Sequence, residues 1–113
     1  MANTFKNALK PSIGTANTQV YQAPGGVSAS TLIGLSIANR TTSNTITVSA
    51  AILDYANTNT ATYIVTNATV PIGGTLVVVG GDQKMVLKPN DAVQISSSVT
   101  GSADCIISVL EMS

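Results

Sequence analysis

The sequence has no histidine, no tryptophan and a single cysteine, and only 9% of its 113 residues are charged. Without histidine, the chain lacks the usual general base of hydrolytic triads and the commonest protein ligand of transition metals. The lone Cys105 excludes a disulfide within the chain. These absences predict that the protein is not an enzyme and that it has no catalytic residues, metal site or cofactor.

Charge is scarce and also balanced, because five Lys or Arg residues oppose five Asp or Glu residues. Proteins that bind nucleic acids carry clustered basic residues, and single-strand binders add stacking aromatic residues, which make up only 4% of this chain. No apolar run is long enough for a membrane span or a signal peptide. We therefore expect no nucleic-acid or membrane partner, and synthesis in the cytosol.

Ser, Thr and Asn form most of the polar surface, and together with Val and Gly they favour strands and turns. A chain with so few charges has little to keep its copies apart in solution, which suits a protein that lives in an assembly. About eight short strands at regular spacing predict an all-β sandwich or barrel. The expected strands cover residues 15–23, 30–39, 45–53, 62–70, 75–79, 84–88, 92–99 and 104–112.

Two of these strands alternate most clearly between apolar and small or polar residues. In residues 30–39, Ile33, Leu35 and Ile37 alternate with small residues that suit close contact with a neighbouring subunit. Residues 45–53 alternate in the same way, and the intervening residues 40–44 predict a hairpin between the two strands. Residues 1–15 lack such a period and contain Pro11 and Gly14, so we expect an extended N-terminal arm followed by a sandwich domain over residues 16–113.

The stretch VVVGGDQK, residues 77–84, superficially resembles a phosphate-binding loop. Such a loop needs a lysine directly after its last glycine, then a hydroxyl residue, and a helix behind it. Here Lys84 lies three residues beyond Gly81, Met85 stands where the hydroxyl belongs, and Pro89 ends a strand-like segment. The stretch is therefore predicted to be a glycine turn of a hairpin.

The remaining polar candidates have simpler structural explanations. Asp82 with Lys84, or Asp91 with Asp104, could form an acid–base pair, but isolated carboxylates in β-proteins usually bind local turn amides. The loop at residues 54–61 contains Asp54, Asn57 and Asn59 but lacks the acid density and closing Glu of a calcium loop. Cys105 shares the period of Ile107 and Val109 and is predicted to face the core.

Four stretches carry a resemblance to a known class of protein. They are GLSIAN at residues 34–39, PIGGTL at 71–76, LKPNDAVQI followed by SSS at 87–98, and SVLEM at 108–112. On these stretches the chain resembles small virion proteins of tailed bacteriophages, especially those that infect marine bacteria and cyanobacteria. The resemblance implies a single antiparallel β-sandwich, jelly-roll-like, that is present in many copies on the particle. It carries no functional residues that can be transferred position by position.

This resemblance implies a non-enzymatic structural protein of the virion, assembled in the host cytoplasm. The favoured role is a capsid decoration subunit that binds other virion proteins, either the major capsid protein or neck and tail proteins, and its own copies as a homo-oligomer. The alternative is a head-to-tail junction, tail or fibre component whose loop 54–61 recognises a host glycan. Contacts in the assembly are expected from the arm and the exposed strand edges, and the candidate residues are Phe5, Lys6, Leu9, Lys10 and Ile13.

Overall fold

A computed structural model describes residues 3–112 and contains nine strands and one short 3-10 turn within that range. The predicted all-β sandwich is confirmed. The strands are β1 (Asn3–Ile13), β2 (Thr18–Gln22), β3 (Ala29–Asn39), β4 (Ile46–Asp54), β5 (Thr60–Val70), β6 (Thr75–Val79), β7 (Met85–Leu87), β8 (Ala92–Ser97) and β9 (Ala103–Met112). The 3-10 turn, Tyr55–Asn57, links β4 to β5.

The strands form two antiparallel sheets. Sheet A has the order β1-β9-β3-β6, with β7 also paired to β3, and sheet B has the order β2-β8-β4-β5. The chain folds back on itself at the β4–β5 turn, so that β3 pairs with β6 and β7, β2 with β8, and β1 with β9. Such a ribbon, wound into two facing sheets, is the jelly-roll arrangement.

The core lies between the sheets and is built from alternate residues of the central strands. In β9, for example, Cys105, Ile107 and Val109 are buried, whereas Ile106 and Ser108 point outward. The inward prediction for Cys105 is thus confirmed, and its side chain is 1% exposed. The largest fully buried side chains are Ile13, Leu32, Leu35, Ile37, Ile46, Leu87, Ile95, Ile107, Val48, Val70, Val79 and Val93.

The hairpin predicted between residues 30–39 and 45–53 is wrong, because β3 belongs to sheet A and β4 to sheet B. Both strands bury one face, as their alternation indicates, but they cover the same core from opposite sides. The buried Asn39 fixes the crossing: its Nδ2 donates to the carbonyls of Asn44, at 2.7 Å, and Val70, at 3.1 Å. A bulge after Leu32 also leaves Ile33 only partly buried.

The glycine turn of residues 80–83 does not close a hairpin either. Strands β6 and β7 both pair antiparallel to β3, with Val79 opposite Leu35 and Met85 opposite Leu32, so they are two pieces of one edge. Gly81 has φ +62°, a left-handed conformation that side-chain-bearing residues adopt at a cost. The GGDQ segment is therefore an interruption within the edge of sheet A, and the lysine that follows it donates to the Gly81 carbonyl at 3.1 Å.

Candidate assembly surface

The outward face of sheet A carries two apolar rows that cross all its strands. Antiparallel partners that lie directly opposite each other share a face of the sheet. One row joins Leu9 to Ile106, Ser36 and Val77 across β1, β9, β3 and β6. The other joins Phe5 to Leu110, Thr31 and Val86 across β1, β9, β3 and β7. Between them lies a row of small or polar residues, Asn7, Ser108 and Gly34.

Five large apolar side chains of this face are more than half exposed to solvent. Their exposed fractions are Phe5 76%, Leu9 62%, Val77 63%, Val86 64% and Ile106 55%. Single exposed apolar residues are common on protein surfaces, but five large ones on one face of a sheet, separated only by small or polar residues, indicate an interaction site. We call this group, together with Leu110, the apolar face of sheet A.

The outward face of sheet B is different in chemistry. Its central rows pair Ser49 with Ser96, and Gln94 with both Ala51 and Gln19. Most of these are hydroxyl and amide side chains that water solvates well, and the row of Gln94 adds only the small Ala51 and, opposite it on β5, the exposed Tyr63. The two outer surfaces of the sandwich are therefore chemically distinct, and the apolar one includes β1.

Strand β1 lies at the edge of sheet A and holds the five residues predicted as assembly contacts. Phe5 and Leu9 point outward on the apolar face, and Lys10, opposite the buried Cys105, is exposed. Lys6 is half-exposed and forms an ion pair within the chain, with Nζ 2.9 Å from Glu111 Oε1. Ile13 is 1% exposed and belongs to the core, so the structure does not bring it to the surface with the others.

Glu111 is the centre of a polar cluster that closes one corner of the sandwich. Tyr21, on β2 in sheet B, donates its hydroxyl to Glu111 Oε2 at 2.6 Å and also contacts the buried Ser30 Oγ at 3.0 Å. Hydrogen bonds from Tyr21 and from Lys6 lower the pKa of Glu111 below its ordinary value. Burial and the bond to Glu111 raise the pKa of Tyr21 to about 12. Four strands, β1, β2, β3 and β9, thus meet at this carboxylate.

A second polar cluster lies at the other end of β1. Ser12 has φ +57°, and its backbone N–H donates to Asp104 Oδ1 at 3.0 Å. Arg40 Nη1 donates to Ser12 Oγ and lies 3.4 Å from Asp104 Oδ1. The ladder between β1 and β9 is regular from Asn3 to Lys10 and shifts between Lys10 and Ile13. The cluster therefore sits at the point where β1 leaves its regular pairing.

The residues weighed as catalytic or metal-binding candidates serve local structure. Asp91 accepts the backbone N–H of Lys88 at 3.0 Å, which is the turn role predicted for it, and it also accepts the N–H of Tyr55, 36 residues away, at 3.0 Å. Asp54 lies 3.4 Å from Lys88 Nζ. Burial raises the pKa of the Cys105 thiol to about 12, so its reactive thiolate form is suppressed. Among residues 3–112, no three His, Cys, Asp or Glu side chains are grouped as metal ligands would be.

The same described range includes no helix with the length and apolar character needed to span a bilayer. The signal for the apolar face was only partly present in the sequence: Val86 and Ile106 alternate with the core residues of their strands, whereas Val77 shares the period of the buried Val79 and points outward because the register shifts between Leu35 and Ser36. Sequence patterns in isolated strands do not show that these three exposed residues share one face of a sheet with Phe5 and Leu9. That placement depends on which strands pair.

No protein-family model and no curated protein sequence matches this chain. Solved structures do share its fold at low sequence identity. A protein of the disulfide-linked pili that form Bacillus endospore appendages is 11% identical, with a TM-score of 0.58, and the match covers 97% of this chain and 88% of that one. A chain of the acid-stable capsid of Helicobacter pylori bacteriophage KHP30 is 11% identical, with a TM-score of 0.56 and coverages of 98% and 87%.

A chain of infectious bursal disease virus, strain Gx, is 14% identical, with a TM-score of 0.54. That match covers 97% of this chain but only 30% of the viral one, so the similarity concerns one part of the larger protein. At these identities the similarities establish a common fold.

Proposed function

We propose that the chain is a non-enzymatic structural subunit of a tailed-phage virion, and specifically a capsid decoration subunit that binds neighbouring virion proteins. The observation that carries the proposal is the apolar face of sheet A, on a chain with net charge zero and 9% charged residues. Such a face is costly to leave in water and gains free energy when a neighbour covers it. The resemblance to phage virion proteins and the fold shared with a phage capsid chain support the same role.

The alternative offered by the fold is a pilus subunit, as in the Bacillus appendages, whose pili are disulfide-linked. An assembly linked in this way needs an accessible thiol in each subunit. The only cysteine of the 113-residue sequence is Cys105, which is buried in the core of the sandwich. The chemistry of this chain thus favours an assembly held by apolar contact and backbone pairing.

The proposal is tested by replacing the two apolar side chains of β1 that point outward. In the variant Phe5→Ser with Leu9→Ser, neither side chain takes part in the core, so circular dichroism and the melting temperature should change little. Each lost side chain removes about 1.5–3 kcal/mol of burial at a complete interface, so incorporation into particles of the encoding phage should fall by about tenfold or more. Quantitative mass spectrometry of purified particles gives the copy number per particle.

A matched control changes two exposed apolar residues that lie outside the apolar face. Tyr63 and Ile72 are 53% and 51% exposed, and Tyr63→Ser with Ile72→Ser should leave incorporation unchanged. Equal incorporation of both double variants would overturn the assignment of the apolar face. Copy number also separates the roles, since hundreds of copies per particle support a head decoration and about a dozen support a neck or tail component.

A further inference from the structure

Strand β1 is attached to the rest of the molecule in an unusual way. Of its eleven residues, only Ile13 is buried and Ala8 is partly buried, and the other nine are exposed. From Asn3 to Lys10 the strand is held by its backbone ladder with β9 and by the ion pair of Lys6 with Glu111. The segment Asn3–Lys10 therefore adds hydrogen bonds to sheet A but contributes almost nothing to the hydrophobic core.

The buried residues of the core cluster begin at Ile13, and of the segment Asn3–Lys10 only Ala8 packs against them. Strand β9, the neighbour of β1, is also paired with β3 along its length from Ala103 to Met112. Its inward side chains, such as Ile107, belong to that core cluster. Ile13 and Gly14 are fixed separately, because their carbonyls accept the backbone N–H groups of Ser102, at 3.0 Å, and Ser97, at 2.9 Å. The fixed part of the molecule thus begins at Ile13.

Pro11 and Ser12 join the exposed segment to this fixed part. Ser12 has φ +57°, a left-handed conformation that disfavours residues with a side chain, and it turns the chain so that β1 returns onto its own β9. If Ser12 were extended, this cost would disappear and the segment Asn3–Lys10 would point away from its own sandwich. A short, strained hinge beside an edge strand is the arrangement in which strands exchange between copies.

We propose that the segment Asn3–Lys10 exchanges between copies of this chain, so that β1 of one copy pairs with β9 of a second copy. The occupant is a second copy because the exchanged strand reproduces the same register, from Asn3 opposite Met112 to Lys10 opposite Cys105, and the same pairing of Lys6 with Glu111. The exchange loses no contact of the closed form except those of the hinge. It links subunits through a complete backbone ladder and leaves Phe5 and Leu9 on the apolar face. Strand exchange rests on the structural role proposed above, because a strand that connects two copies serves a protein that forms an assembly.

The test uses two full-length variants that each carry one added cysteine, Asn7→Cys and Ser108→Cys, on opposed positions of β1 and β9. The two proteins bear different tags and are unfolded and refolded together, then oxidised. A disulfide between positions 7 and 108 of different copies is expected where β1 has crossed to another copy, and the hinge variants described below distinguish this link from one made by two apolar faces in contact, which does not depend on the hinge. We expect this link, located by peptide mapping, in dimers that contain both tags. Cys105 is retained, because it is buried.

The control pair is Ser49→Cys with Ser96→Cys, which are opposed on the central strands β4 and β8 of sheet B. This pair should give no link between copies above background. A 7–108 link that is no more frequent than the 49–96 link would overturn strand exchange. The doubly substituted chain, Asn7→Cys with Ser108→Cys, then reports the opposite state, since a disulfide within one chain marks the closed form.

The hinge provides a second, independent measurement. Ser12→Gly removes the free-energy cost of the left-handed conformation in the closed form. The yield of the 7–108 link between copies should therefore fall about fivefold, which corresponds to the lower end of that cost. Ser12→Ala loses the same hydroxyl, and hence the contact with Arg40, but keeps the cost, so the link should not fall. Equal links in the two variants would overturn the role of the hinge. If the wild-type protein enters particles but the 7–108 link between copies does not form, strand exchange alone is contradicted. If the link forms but the protein does not enter particles, the virion role is contradicted.

Discussion

The substitution Tyr21→Phe tests how the sandwich is closed at the corner where β1, β2, β3 and β9 meet. It removes one hydroxyl that donates to Glu111 Oε2 at 2.6 Å and contacts Ser30 Oγ at 3.0 Å, while the ring stays the same size. Ser30 is fully buried, so its hydroxyl loses a partner that water cannot readily replace. A hydrogen bond to a charged group contributes about 1.5–3 kcal/mol, and we expect a loss of this size at neutral pH.

The loss should depend on pH because Glu111 is the acceptor. The pKa of Glu111 is lowered in the folded protein, first by the bond from Tyr21 and then by the bond from Lys6. A lowered pKa stabilises the fold above the ordinary value of 4.5, and this stabilisation is lost as the pH falls through the folded pKa. In the Tyr21→Phe variant the pKa of Glu111 should return toward its ordinary value. The difference in stability between wild type and variant should therefore narrow as the pH falls below 4.5.

The assay is urea unfolding followed by far-ultraviolet circular dichroism at neutral and acidic pH. The matched control is Tyr63→Phe, because Tyr63 is 53% exposed and should change the free energy of unfolding by less than about 0.5 kcal/mol. Two results would refute the reasoning: a Tyr21→Phe loss as small as that of Tyr63→Phe, or a loss that stays constant as the pH falls. Ionisation of the Tyr21 hydroxyl adds a second pH dependence on the alkaline side. Its pKa is raised to about 12, so the associated stabilisation should decline between pH 10 and 12.

Two further predictions concern the core and the thiol. Leu35→Ala should lower the free energy of unfolding by about 2–5 kcal/mol, because Leu35 is fully buried. Val77→Ala, on the apolar face, should lower the free energy of unfolding far less. Similar losses for the two variants in chemical denaturation would contradict the assigned faces. Cys105 should resist a thiol reagent in the native protein, because it is buried and burial raises its pKa to about 12. After unfolding, about one thiol per chain should react. Rapid labelling of the folded protein would be incompatible with the position of Cys105 in the core.

The apolar face and the exposed strand β1 are parts of one surface. Phe5 and Leu9 contribute the outermost side chains of the two apolar rows, so a neighbour that covers the face also contacts β1. If β1 comes from another copy, each such contact involves the exchanged strand as well as the sandwich on which it lies. Small contacts repeated over many copies of a symmetric particle add to a stable assembly.

Much of the core could be predicted from the sequence. The period of two in residues 104–112 assigns Cys105, Ile107 and Val109 to the inside, because successive side chains of a strand point to opposite faces. The turn role of Asp91 also follows from its place in PND, and in the structure Asp91 accepts the backbone N–H of Lys88, three residues earlier. These features depend on residues close together in the chain, which is why local patterns are informative about them.

Strand pairing could not be predicted in the same way. The alternation of β3 and β4 looks like that of a hairpin, yet the two strands lie in different sheets, since a buried face can be covered equally well by a neighbouring or an opposing strand. Likewise, the lack of a period in residues 3–12 reflects a strand that is exposed on both faces over most of its length. Its extended segment becomes the edge of sheet A only because β9, about a hundred residues away in the chain, leaves an edge for it to pair with.

The sequence by itself determined the class of the protein. Scarce charge and strand-forming residues with a period of two specify an all-β chain. The tertiary structure decided where the exposed apolar residues meet. Phe5, Val77 and Ile106 lie in separate strands, and only the order β1-β9-β3-β6 brings them onto one face. The reason is that side-chain direction is a local property of a strand, whereas a surface is made by pairings between distant parts of the chain.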